Sequence, residues 1–97
     1  MSTLHVEHKV TDFNAWKKVF DADPAERKKN GVRSYRVNRA VDDPNYIMMD
    51  LEFDSTDTAK AFLGKLRKVW QTPQAAAQIG EGTPQVHIAE TVETKTL

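Results

Sequence analysis

The sequence predicts an α+β fold in the order strand, helix, strand, strand, helix, strand, with four strands in one antiparallel sheet and both main helices on one face. Three observations predict it. Residues 4–10 alternate apolar and polar side chains with a period of two, the mark of a strand with one buried face. Two later segments carry apolar residues at spacings of three and four: Phe13, Trp16 and Phe20 in one, and Ala59, Phe62, Leu63, Leu66, Val69 and Trp70 in the other. Between these stripes, two strand-like runs flank the turn residues Asp42-Asp43-Pro44-Asn45.

Each element has its own local reason. Thr11 or Asp12 suits the N-cap of the first helix. Asp23-Pro24-Ala25-Glu26 combines a capping residue, a proline for the first helical position and a capping-box acid, so the helix is expected to break and restart there, with Gly31 as its stop. Residues 32–41 and 46–53 read as the second and third strands. The best apolar phase turns Tyr35, Val37 and Val41 to the same side as Ile47, Met49, Leu51 and Phe53. A four-residue loop from Val41 to Tyr46 would set those rows on opposite faces, so a bulge or an odd-length loop is expected near the turn. Ser55 can cap the second main helix. Thr72-Pro73 opens a short helical piece running to Ile79 and stopped by Gly80, residues 80–84 form a loop, and residues 84–95, rich in Val, Ile and Thr, supply the last strand.

Right-handed crossovers bring both helices to one side of the sheet, which is the ferredoxin-like βαββαβ arrangement. The other face is left bare and shows His5, Glu7, Arg36, Asn38, Met48, Asp50 and Glu52. Ninety-seven residues suit one domain spanning 1–97, and a chain this short gains from a partner that covers exposed surface. Fourteen Lys and Arg balance fourteen Asp and Glu, so nothing draws the chain to a phosphate backbone or an anionic membrane; neither nucleic acid nor membrane is an expected partner. The absence of cysteine removes disulfides, thiol nucleophiles and thiolate metal sites. Residues 1–10 already carry His5, Glu7, His8 and Lys9, and no apolar run reaches membrane-spanning length, so the expected address is cytoplasmic.

Several segments carry a likeness to a known group: Val6-Glu7-His8-Lys9-Val10, then Asp12-Phe13-Asn14-Ala15-Trp16-Lys17-Lys18-Val19-Phe20-Asp21. It continues through Gly31-Val32, Tyr35-Arg36-Val37, Arg39, Asp42-Asp43-Pro44-Asn45, Leu51-Glu52-Phe53-Asp54-Ser55 and Ala61-Phe62-Leu63. Across residues 4–70 the chain resembles the dimeric α/β-barrel superfamily, and within it the small bacterial proteins labelled antibiotic-biosynthesis monooxygenase-like or "cyclase". The resemblance implies a homodimer whose two sheets face each other, with a pocket in each subunit between sheet and helices. Relatives in that superfamily include cofactor-free monooxygenases, polyketide cyclases, haem-degrading enzymes and proteins without known activity. Where the monooxygenases and cyclases often carry a histidine near the end of the second helix, this chain reads Gln71-Thr72-Pro73-Gln74.

His8 is the leading candidate for chemistry. It shares the apolar row of Leu4, Val6 and Val10, so it points between sheet and helices, and imidazole can serve as a general base near neutral pH. The alternative is a core histidine satisfied by a backbone carbonyl. His5 and His8 stand three apart on a strand and so project from opposite faces, which denies them a shared metal ion; no metal site is expected, although haem, needing one histidine alone, stands outside that argument. Trp16 and Trp70 lie on the core stripes, and an indole there can either fill the core or stack on a planar ligand. Tyr35 shares the helix-facing phase, where its hydroxyl orients a substrate or makes a structural hydrogen bond. Gly80-Glu81-Gly82-Thr83-Pro84 neither follows a strand nor opens a helix, so it is no phosphate cradle.

The expectation is a small-molecule-binding homodimer with a largely apolar pocket lined by Trp16, Phe20, Met49, Phe62, Leu66 and Trp70, and with His8 and Tyr35 as its polar points. As an enzyme it would carry out cofactor-independent oxygenation or cyclisation of an aromatic or polyketide-like molecule. His8 would be the base and Tyr35 the orienting hydroxyl, and a substrate anion would supply electrons for dioxygen in place of a cofactor. As a non-catalytic or stress-associated dimer it would hold a metabolite in the same pocket. A dimerisation module without a pocket is the third reading.

Overall fold

The computed structural model describes residues 1–80 and 82–97; Glu81, within the expected 80–84 loop, lies outside the described residues. Strand β1 (Ser2–Lys9) leads into helix α1 (Phe13–Asp21), strands β2 (Ser34–Ala40) and β3 (Asp43–Phe53), helix α2 (Thr56–Trp70), a one-turn helix α3 (Pro73–Ala76) and strand β4 (Gln85–Glu90). All neighbouring strands pair antiparallel in the order β2-β3-β1-β4. This is the ferredoxin-like βαββαβ fold expected from the sequence.

Caps fall on the residues whose chemistry asks for them. Asp12 Oδ2 accepts from the Ala15 amide at 2.9 Å, Ser55 Oγ from the Thr58 amide at 3.2 Å, and Thr72 Oγ1 from the Ala75 amide at 3.4 Å. The pleat of β1 sends Leu4, Val6 and His8 toward the helices, where they meet Ile47, Met49, Leu51 and Phe53 of β3 and Trp16, Ala59 and Phe62 of the helices. Leu4, Val6, Ile47 and Phe53 are wholly buried, and each such side chain contributes about 1.5–3 kcal/mol of hydrophobic stabilisation.

The predicted irregularity is present: the β2–β3 register runs evenly from Ser34↔Glu52 to Arg39↔Ile47, then shifts to Ala40↔Asp43. That shift puts Tyr35 and Val37 on the face of Leu51 and Met49, as the apolar phase requires. Val41 departs from the expectation. It lies in the turn, fully exposed, because the shift ends β2 one residue before it.

Three other boundaries differ. No helix restarts at Asp23; residues 23–31 form successive turns. Asp23 and Glu26 take left-handed φ values of 58° and 50°, and a residue before proline is disfavoured in the helical region. Asp23 Oδ1 accepts from the Arg27 amide at 2.9 Å, holding a turn where a capping box was expected. The short helical piece after Thr72 ends at Ala76, not Ile79, because Ile79 bridges to Val10 at the rim of the sheet. The last strand ends at Glu90, not Lys95: its partner β1 begins at Ser2, which pairs with Glu90, so residues 91–97 have no strand to follow.

Candidate functional site

The site is built where β1 runs under α2 and α3. Gly80 comes back beside β1, and its amide donates to the Lys9 carbonyl at 2.7 Å. A Cβ at Gly80 would stand 3.1 Å from that carbonyl, so a side chain there would push the Lys9 backbone back by a few tenths of an ångström. His8 Nδ1 lies 2.9 Å from the same Lys9 oxygen. A carbonyl only accepts, so Nδ1 carries the proton and, in the neutral ring, Nε2 carries the lone pair.

Nε2 is the decisive atom. It is buried, and among the described residues it is the one buried side-chain nitrogen or oxygen without a hydrogen-bond partner. His8 is 4% exposed, and desolvation pushes its pKa below the ordinary 6.5 against the opposing pull of the Lys9 carbonyl. The ring is therefore a neutral, unengaged base at neutral pH. The Trp70 indole meets it edge-on, with centroids 6.4 Å apart.

Beside His8 lies a cavity of about 50 Å³. Its wall includes all six side chains expected there, Trp16, Phe20, Met49, Phe62, Leu66 and Trp70. Val19, Leu51, Val69, Ala75 and Ile79 complete most of the apolar lining, and Pro24 and Ala25 close it from the turns after α1. Trp16 stacks on Phe20 with centroids 5.0 Å apart, forming one flat wall. The volume admits a few waters, whereas a cavity of about 150 Å³ takes a benzene ring, so an aromatic guest requires the wall to open.

Tyr35 is not part of this lining. It is 46% exposed, its ring meets Phe20 edge-on at 5.2 Å, and it faces an outer cleft. The polar points that share the cavity with His8 are Arg27 and Gln78 instead. Sequence reasoning missed Arg27 because it sits among Lys28 and Lys29 and reads as helix surface. The pre-proline position of Asp23 is the signal that this stretch turns back over the cavity.

The opposite face of β1 has a different chemistry. His5 Nδ1 meets Asp50 Oδ1 at 2.7 Å and Nε2 meets Glu7 Oε2 at 2.9 Å, while the Tyr46 hydroxyl donates to Glu7 Oε1 at 2.9 Å. A ring that donates to carboxylates from both nitrogens is an imidazolium, and the Glu7 and Asp50 hydrogen bonds raise the His5 pKa. No group of three or more His, Asp or Glu among the described residues is arranged to hold a metal ion, and no helix among them is long and apolar enough to cross a membrane.

This arrangement, a four-stranded ferredoxin-like sheet with helices on one face, is a fold the chain shares with solved structures described as antibiotic biosynthesis monooxygenases and as a dimeric ferredoxin-like protein. The solved structures similar to it include SnoaB, a cofactor-independent oxygenase from Streptomyces nogalater, with a TM-score of 0.75 and 16% identity over 96% of this chain and 94% of that one. A candidate antibiotic biosynthesis monooxygenase from Bordetella bronchiseptica has a TM-score of 0.69 and 15% identity over 95% of this chain and 97% of that one. A dimeric ferredoxin-like protein from an uncultured marine organism matches with a TM-score of 0.69 and 9% identity over 99% and 98% of the two chains. At these identities the likeness is one of fold. No family model matches the sequence, and no curated protein matches it.

Proposed function

We propose that this chain binds a small aromatic or polyketide-like molecule in the cavity beside His8 and, as a homodimer, catalyses its cofactor-independent oxygenation or cyclisation. One observation carries the reading: the buried His8 Nε2 has no protein donor to satisfy it, and His8 is among the residues that line an apolar cavity. Leaving such an acceptor unpaired costs about 1–3 kcal/mol, which a ligand hydroxyl would offset. A phenol or enol presented there would give its proton to Nε2, and the resulting anion would supply the electrons for dioxygen. SnoaB, a cofactor-independent oxygenase by description, supports this reading by sharing the fold. The dimer is supported by the half-covered charged face of the sheet and by the dimeric ferredoxin-like neighbour.

In a second reading, supported by the apolar wall of Trp16, Phe62 and Trp70, the same pocket holds a metabolite without turning it over. Calorimetric titration with a polycyclic phenol, together with oxygen uptake, separates them. The enzyme reading predicts binding and uptake by the native chain, and loss of uptake with the fold intact in His8→Gln. Binding without uptake selects the second reading, and no binding ends both.

A further inference from the structure

Arg27 belongs to two spaces at once. It lines the inner cavity, and it also lines an outer cleft of about 530 Å³ with Asp23, Lys28, Arg33 and Tyr35. Its guanidinium is held in place from three sides. Nη1 donates to the Phe20 carbonyl at 2.7 Å, and the guanidinium carbon lies 3.9 Å from the Phe20 ring centroid and 4.9 Å from that of Tyr35. The side chain is only 14% exposed, so little freedom remains to be lost when it engages a ligand.

Its charge is poorly answered by the protein. The nearest carboxylate oxygen, Asp23 Oδ1, is 3.5 Å from Nε and already accepts from the Arg27 amide at 2.9 Å. Nη2 has no acceptor among the described residues. Of the other cleft cations, Arg33 is engaged by Asp54, while Lys28 has no carboxylate partner among the described residues. The junction of cavity and cleft is thus a fixed, part-buried donor edge with net positive surroundings. An apolar chamber on one side and a cationic cleft on the other fit a ligand with the same two halves.

We infer that the cavity and the cleft form one site for an amphiphilic carboxylate, whose aromatic ring enters the cavity as its wall opens and whose carboxylate lies on the exposed edge of Arg27. The inference rests on reading the cavity as a ligand site and adds the charge of that ligand. A carboxylate would accept a charge-assisted hydrogen bond from the unengaged Nη2, which a neutral amide of the same shape cannot match in strength. Arg27 then selects among ring compounds that the apolar wall alone would accept equally.

The test is calorimetric titration of the full chain with 2-naphthoate and with 2-naphthamide. The native protein should bind the carboxylate at least about tenfold more tightly, the ratio expected of one charge-assisted contact. Arg27→Met should lose that preference while holding naphthamide within about twofold, and Arg27→Lys should keep part of it. If Arg27→Met retains the preference, the inference is overturned while the cavity remains a ligand site, since both rings still bind. If neither compound binds the native protein, inference and ligand site fall together. Should Arg27→Met not fold, nuclear magnetic resonance of the native Arg27 guanidinium decides. A shift with naphthoate but not with naphthamide supports the inference, and an equal response to both overturns it.

Discussion

His5 and His8 stand three residues apart on β1 and live in opposite environments. On the helix-covered face, His8 lies among apolar side chains, gives its one proton to the Lys9 carbonyl and keeps an idle lone pair. On the other face, His5 is clasped by Asp50 and Glu7 and is stable as a cation. The same residue type is thus turned into a base on one side and a charge-network hub on the other. What differs is the partner: a carbonyl leaves one ring nitrogen to be decided by burial, whereas two carboxylates demand both protons. The pleat alone assigns each histidine its face, and the packing then assigns its protonation state.

The largest expected effect comes from breaking the covered face. Leu4→Ala, at a wholly buried position of a central strand, should lower stability by about 2–5 kcal/mol in denaturant melts. Its neighbour His5→Ala should cost about 1 kcal/mol or less, because its ion pairs remain part-exposed. Equal costs would show that the two faces are not energetically distinct. The bare face should instead govern association. Asp50→Arg places a second cation across from Arg36 and removes one partner of His5. Light scattering should find twice the 11.0 kDa chain mass for the native protein and at least tenfold weaker association for the variant.

A smaller effect separates the histidines by pH. His5, its pKa raised above 6.5, contributes stability that is complete below the unfolded value and is lost as pH rises through its folded one. His8, its pKa lowered, contributes stability that is complete above 6.5 and is lost as pH falls through its folded value. Together they give a stability maximum near 6.5, read from thermal melts at stepped pH. His5→Gln should flatten the alkaline side and His8→Met the acid side. A swap of those two outcomes would reverse the assignment of the faces.

The faces themselves were legible in the sequence, because a period of two over residues 4–10 and the caps at Asp12, Ser55 and Thr72 are local signals that the packing did not override. The bulge was legible too, since only a register shift reconciles the rows of β2 and β3. The cavity wall followed from helix stripes, which place Trp16, Phe62 and Trp70 over the His8 row. Tyr35 was misplaced because phase tells which side of a sheet a residue faces, not how far along an edge strand the helices reach. Arg27 was hidden because its position depends on two left-handed residues, Asp23 and Glu26, whose conformation no periodicity encodes. The carboxylate clasp on His5 depends on cross-strand register, which a single strand's pattern does not carry.

Long-range nitrogen–proton correlation of the histidine rings decides whether His8 is a neutral base with an unpartnered Nε2 beside the apolar cavity. The expected result is the Nδ1–H tautomer for His8 at neutral pH, titration below 6.5, and a large Nε2 response when a small phenol is added, with His5 unmoved. An Nε2–H tautomer for His8, or a phenol response confined to His5, would contradict it.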